Sequence, residues 1–446
     1  MSENRPQATT TGPGIDEESF ERAAEDFGHL ISRRPAAVHR PKSARGVADA
    51  VRWAAGRGMP MAVRGQGHSV YGRAQVQDGL VIDTSALHAV HVTRPDRVVA
   101  EAGATWQSVL DATLPHGLTP PTLTDYVRLS VGGTISAGGL GGATFRHGFQ
   151  SCNVLELDVV TGDGEIVTCS ASRHPRLFHA VRAGHGQFGV ITKAVVPLIP
   201  APERVRLHTL YFPDIRTMMA AQRRLLAADR VDYLEGAIRP DGPGWQYVVE
   251  AAVGCRADSR PDDAALADAG DECTHGETVD LSFGELYQRL SKLEAHLREV
   301  GAWHHAHPWL NTFLPDSTAE QVMTELLAEV AAHELGEFGR ILLYPIVPGR
   351  ARTPLMRLPE EDVAFVCNFI RFPADDPVLA DKLVVANRAI YERVRSAGGY
   401  LYPVSAVALT QADWQAHYGR LWPTVEDAKT RFDPGHLLSP GHHMFA

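Results

Sequence analysis

The ten residues Val63–Gly72, VRGQGHSVYG, place three glycines and one imidazole directly behind a run, PMAVRG, that predicts a buried strand. Glycine lets the backbone come close to a neighbouring group and take left-handed dihedrals. A histidine in such a turn is presented to whatever that backbone approaches. Upstream, AAVHRP (Ala36–Pro41) reads as a strand ending at a proline. Ser43 then caps a helix with apolar residues at Val47, Ala50, Val51 and Ala54, stopped by Gly56 and Gly58. Strand, helix and strand make a small α/β unit with the glycine-histidine turn at its carboxyl end, where ligands bind in such sheets. Downstream, Gly79–Ser85 and Arg97–Thr105 predict two more strands and Trp106–Leu114 a helix. Asn153–Ser170 is a hairpin turned by Gly-Asp-Gly. Gly186–Pro202 is a further strand before a proline-flanked change of composition.

A chain of 446 residues has room for two or more domains. Its net charge of −10 argues against a nucleic-acid partner. Five scattered cysteines have neither metal-ligand spacing nor the look of a disulfide framework. No apolar run is long enough to span a bilayer. The first fourteen residues lack the apolar core of a secretory signal and read as a disordered tail, followed by a short helix to about residue 30. Together these features lead to the expectation of a cytoplasmic protein with no membrane partner. Two amphipathic helices stand out after residue 202, FPDIRTMMAAQRRLLAADR and DSTAEQVMTELLAEVAAHE, the second with Ser317 as its cap. GRILLYPIVP reads as a buried strand.

A second glycine-rich stretch, Leu129–Gly148, reads LSVGGTISAGGLGGATFRHG. Exposed N–H groups on such a backbone suit the oxygens of a pyrophosphate. Two loops of this kind, far apart in sequence, suggest one dinucleotide clamped from two sides. GQGHSV lacks the third glycine of the Rossmann fingerprint and no helix pattern follows it; a Walker A sequence is absent.

RGQGHS followed by GLVIDTSAL resembles the flavin loop of the vanillyl-alcohol-oxidase (PCMH) type of FAD-binding domain. TDYVRLSVGGTISAGGLGGATFRHGFQSCNVLELDVVTGDGEIVTCS, GQFGVITKA, VDYLEG, HPWLNTFLP and FDPGHLLSPG are similar, in order, to the cytokinin dehydrogenases. The resemblance implies an α+β fold: a two-part PCMH-type FAD-binding domain with an inserted α/β substrate domain, an antiparallel sheet covered by helices. It places the FAD-binding domain at 31–200, the substrate domain at 201–400 and a C-terminal return to the first domain at 401–446. It implies FAD bonded covalently through His68, with Val63, Gly65, Gln66, Gly67, Ser69, Arg73, Asp125, Ser130, Gly133, Ser136, Leu140, Ile191 and His442 around it. Neutral imidazole has a free lone pair near pH 7, as bond formation requires. No cysteine lies between His68 and Cys152, so a second, cysteinyl flavin bond is not expected.

The same resemblance makes Asp125 and Glu235 the catalytic acids, Asp125 as base and Glu235 on the purine side, with Trp309 lining the substrate pocket. A carboxylate beside an apolar flavin face has a raised pKa and is a competent base. The implied reaction is oxidation of the side-chain amine of N6-isoprenoid adenines to an imine that hydrolyses to adenine and an aldehyde. Oxygen or a quinone is the expected electron acceptor, and a monomer or weak homodimer the expected state. The chain departs from the family in three places. Thr122-Leu123-Thr124 stands where a tryptophan commonly precedes the aspartate, His442 replaces a glutamine, and YLYPVSAV follows the family loosely, with Tyr402 or Val404 near the ring. These leave open a related covalent-flavin oxidase of an alcohol, sugar or secondary metabolite. A metal site in WHHAHPW is disfavoured because His304, His305 and His307 sit too close together for structural zinc.

Overall fold

The computed structural model describes residues 17–256, 258–259 and 263–445. β1 (Ala37–His39), β2 (Met61–Arg64) and β3 (Leu80–Asp83) form a parallel sheet in the order β1-β3-β2. The strand-helix-strand unit is present: the Ala44–Ala55 helix joins β1 to β2, Ser43 Oγ accepts from Gly46 N, and Val47, Ala50, Val51 and Ala54 are buried. β3 enters between its two strands, a long-range pairing that local pattern does not reveal.

β4 (Val90–Arg94) and β5 (Arg97–Glu101) begin a second sheet. The short β6 (Leu118–Thr119) follows, then the hairpin of β7 (Glu156–Val160) and β8 (Ile166–Ser170), then β9 (Val190–Pro197) and β10 (Ile199–Pro200). The second sheet is antiparallel, in the order β4-β5-β9-β7-β8, and β6 pairs with β10. The glycine-rich stretch between β6 and β7 contains short helices at Val131–Ala137 and Thr144–His147, which its composition conceals.

The third sheet is built from β11 (Arg204–Phe212), β12 (Tyr233–Asp241), β13 (Gly244–Cys255), β14 (Thr274–Ser282), β15 (Leu310–Pro315), β16 (Arg340–Ile346), β17 (Ala364–Ile370) and β18 (Tyr400–Leu401). It is antiparallel throughout, in the order β14-β11-β13-β12-β16-β17-β15-β18. Helices Ile215–Ala228, Asp316–Glu329 and Pro377–Ser396 pack on one face. Alternation sends Leu234, Ile238, Ile341 and Leu343 to that face and Glu235, Ala237, Leu342 and Tyr344 to the other. Ser317 is not the helix cap. β15 runs straight into its helix, so Pro315 takes the cap position, and Ser317 sits in the first turn with its hydroxyl donating to Glu361.

The end of the chain returns to the parallel sheet. Met61 N donates to Leu437 O at 2.7 Å and Ser439 N to Met61 O at 2.7 Å, adding Leu437–Ser439 beside β2. Lys429, fully buried, holds this segment: its Nζ meets Asp433 Oδ2 at 2.8 Å, Leu438 O at 3.0 Å and Gln187 O at 3.1 Å. Among the described residues no helix is long and apolar enough to cross a membrane.

Candidate active site

A cavity of about 590 Å³ opens between the glycine loops and the bare face of the eight-stranded sheet. Its first wall is backbone. A methyl group on Gly65 would sit 2.1 Å from Ser130 Oγ and 3.1 Å from its Cβ, so the two loops meet closely there, and Gly67 takes φ +70°. Among the described residues, none of the five successive N–H groups from Gly65 to Ser69 has a protein acceptor. Such a row of unspent donors is what the oxygens of a diphosphate require. Ser130, Gly133, Ser136 and Leu140 face it from the second loop, with Val63 and Ile191 alongside.

His68 lies within this wall. Its ring stacks between Phe27, 4.0 Å away centroid to centroid, and Tyr126, at 4.8 Å, with Trp303 and Trp309 at 6.0 Å each. Burial among these rings lowers its pKa to about 4, partly opposed by the charge of Glu294, so the imidazole is neutral at physiological pH. Asp26 braces the turn from below. It accepts from Gly72 N at 2.7 Å, Ser69 Oγ at 2.8 Å and Gly28 N at 3.1 Å, and burial raises its pKa to about 6. Asp26 and Phe27 fall in the region read as tail and short helix, and neither was foreseen. Asp26→Ala leaves two backbone donors and a hydroxyl buried without partners. The expected cost is about 3 kcal/mol or more, read as a lowered denaturation midpoint; an unchanged midpoint would contradict the bracing role.

The opposite wall carries the acids. Asp125 comes from the segment before the second glycine loop and Glu235 from the cavity face of β12. Tyr233 Oη donates to Asp125 Oδ1 at 3.0 Å. Arg289 donates from Nη2 to Tyr233 Oη at 3.3 Å and from Nη1 to Glu250 Oε2 at 2.7 Å. Burial raises the pKa of Asp125, while hydrogen bonds from Glu235 and Tyr233 and the charge of Arg289 pull it back. Glu235 is driven well above the carboxylate range by burial and by the Asp125 charge. The two carboxyls therefore titrate as a coupled pair, with Glu235 the more firmly protonated of the two. Glu235 Oε1 is buried without a partner.

The third side is closed by the returning C-terminal segment. His442 and Arg73 line the cavity. Arg73 donates to Val407 O at 2.8 Å and Gly441 O at 3.1 Å, so it pins that segment in place. His442 Nδ1 is buried without a hydrogen-bond partner. Trp309 donates from Nε1 to Arg371 O at 2.9 Å; Tyr402 accepts from Gly139 N at 3.0 Å. Tyr402 and Val404 both reach the cavity. All sixteen residues expected from the sequence thus converge on one cavity. Tyr126, Tyr233, Glu250, Arg289, Arg340 and Tyr344 join them unforeseen. His307 Nδ1 lies 2.7 Å from Phe27 O, and its ring stacks on Phe27. Among the described residues no group of three or more His, Cys, Asp or Glu is placed to hold a metal.

A free row of N–H donors, a glycine cradle that a side chain would fill and a neutral imidazole fit FAD. A family model described as FAD binding domain matches residues 35–170. One described as cytokinin dehydrogenase 1, FAD and cytokinin binding, matches residues 271–445. An uncharacterized oxidoreductase, ORF5 in the fasciation locus of Rhodococcoides fascians, is 36% identical over 432 residues, 96% of this chain and 98% of that protein. Cytokinin dehydrogenase 7 of Oryza sativa subsp. japonica is 34% identical over 484 residues, 97% of this chain and 91% of its own length. Cytokinin dehydrogenase 6 of the same plant is 33% identical over 485 residues, with the same coverage. The fold and site define an FAD-dependent oxidoreductase. More narrowly, the chain belongs to the cytokinin dehydrogenase family, with a PCMH-type FAD-binding domain and a cytokinin-binding domain in a mixed α+β fold.

Proposed function

We propose that this enzyme oxidises the side-chain amine of N6-isoprenoid adenines to an imine, which hydrolyses to adenine and an aldehyde, with FAD bonded to His68. The observation that carries the reading is the Asp125–Glu235 pair, two buried, interacting carboxyls both raised above the ordinary range, on the wall facing His68. The cofactor's part is to accept a hydride from the carbon beside the exocyclic nitrogen. Asp125 takes the N–H proton as that hydride leaves. Glu235, holding its own proton, keeps the charge on Asp125 and offers its free oxygen edge to the purine. Tyr233 and Arg289 fix the direction of the Asp125 carboxylate. Trp309 and Leu342 give the planar ring and its apolar chain a flat, dry surface.

In this reading residues 31–200 hold the cofactor, 201–400 the substrate and 401–446 the closing segment. Support comes from the parallel sheet before residue 200, the eight-stranded sheet after it and the Leu437–Ser439 segment bridged to β2. Oxygen or a quinone takes up the electrons, the enzyme works as a monomer or weak homodimer, and its five free thiols fit a cytoplasmic setting.

Anaerobic mixing of the holoenzyme with isopentenyladenine should bleach the flavin absorbance and release adenine. No bleaching, together with reduction by a sugar or benzylic alcohol, would instead favour the alternative oxidase, since an alcohol also needs a base at Asp125. The pH dependence has a defined sign. Asp125 must be ionised to act, and burial raises its pKa above the ordinary 3.8. The reduction rate should therefore fall on acidification through an inflection above that value and level off toward neutrality. An inflection at or below 3.8 would contradict the assignment.

A further inference from the structure

The cavity face of the eight-stranded sheet sorts its side chains into rows. Glu235 lies opposite Glu250 in the first. The second is apolar and amide: Ala237, Leu342, Asn368 and Asn311. In the third, the register that pairs Ala237 with Leu342 and Ile238 with Ile341 brings Arg239 beside Arg340. Like charges side by side on neighbouring strands destabilise a sheet, and the carboxylate nearest them is shared. Glu250 pairs with Arg289 at 2.7 Å and, more loosely, with Arg239 at 3.8 Å. Arg239 Nε is buried with no partner. Arg340 lines the cavity, and its side chain makes no hydrogen bond or ion pair among the described residues. Its charged neighbours are Arg239, Glu250, Glu235 and Arg289. Three guanidinium groups thus gather around Glu250 and the Asp125–Glu235 pair, and among the described residues Arg340 is the one of the three with no hydrogen bond or ion pair.

We propose that Arg340, with Arg239 beside it, forms an anion subsite of the substrate cavity, and that the preferred substrate is an N6-substituted adenine nucleoside monophosphate rather than the free base. This rests on the reading of the site as an oxidase of N6-isoprenoid adenines. Four residues of β12 separate Glu235 from Arg239, about 13 Å between Cα atoms at the rise of an extended strand, while the Arg239 guanidinium leans back to 3.8 Å from Glu250. A purine with a pentose phosphate attached fits along that length of strand. The row of Ala237 and Leu342 between them is apolar, as a purine face requires. Paired guanidinium forks match the oxygens of a phosphate in both charge and geometry.

The test compares kcat/KM of the holoenzyme for isopentenyladenine, its riboside and the riboside 5′-monophosphate. The monophosphate should lead the riboside by about tenfold or more, the worth of one charge-assisted contact. Adenosine 5′-monophosphate should compete with it. In Arg340→Gln the ratio of monophosphate to riboside should collapse toward unity, and Arg340→Lys should retain part of it. Equal values for riboside and monophosphate in the native enzyme, or the same ratio in Arg340→Gln, would overturn the subsite while leaving the amine oxidation standing. Failure of all three compounds to bleach the flavin would remove the substrate reading and the subsite with it.

Discussion

Asp125→Asn is expected to slow anaerobic reduction of the flavin by isopentenyladenine by about two to four orders of magnitude, the usual worth of a positioned general base. Asparagine matches the carboxylate in shape, and its carbonyl can still accept from Tyr233 Oη, which stands 3.0 Å from Asp125 Oδ1. The change therefore removes the basicity and the charge that helps keep Glu235 protonated, while keeping the shape and the Tyr233 contact. Burial raises the pKa of the native group, and a raised pKa makes a better proton acceptor from an amine. The outcome is read by stopped-flow absorbance, with flavin content measured on the same sample so that lost cofactor is not mistaken for lost chemistry. A native reduction rate in a fully flavinylated Asp125→Asn enzyme would take the residue out of the mechanism.

His68→Ala is expected to abolish the covalent bond while sparing FAD binding. After acid precipitation the native enzyme should leave a yellow pellet, and the variant a colourless pellet beneath a yellow supernatant. The structure separates the two properties. In the proposed attachment the imidazole, with its pKa lowered to about 4, would supply the lone pair. The free N–H groups of Gly65–Ser69 and the close approach of Gly65 to Ser130 belong to the backbone and survive the substitution. A yellow pellet from His68→Ala would place the attachment elsewhere. A colourless pellet from the native enzyme would show that no covalent bond forms.

The elements most legible in the sequence were those whose signals are local. Alternation and a Gly-Asp-Gly turn marked the hairpin of Glu156–Val160 with Ile166–Ser170, and Ser43 marked its helix. The glycine loops pointed to a dinucleotide because a bare backbone is itself the chemical group at work. What stayed hidden depends on pairings between distant residues. β3 enters between β1 and β2 across a long gap in sequence. Asp26 and Phe27 reach His68 from a stretch that looks like a frayed terminus, since a carboxylate bracing a turn from 43 residues away has no local signature. Tyr233 and Arg289 matter only because the folded sheet and helix carry them to Asp125. The misassigned cap at Ser317 has a similar origin: Pro315 belongs to the preceding strand, so the helix starts without the loop that a serine cap would follow.

The most direct test of the central claim is anaerobic flavin reduction by isopentenyladenine carrying deuterium at the side-chain carbon next to N6. If hydride leaves that carbon while Asp125 accepts the N–H proton, the deuterated compound should reduce the flavin more slowly, and adenine should appear as the product. Reduction at equal rates with the two isotopologues, or no reduction by either, would contradict it.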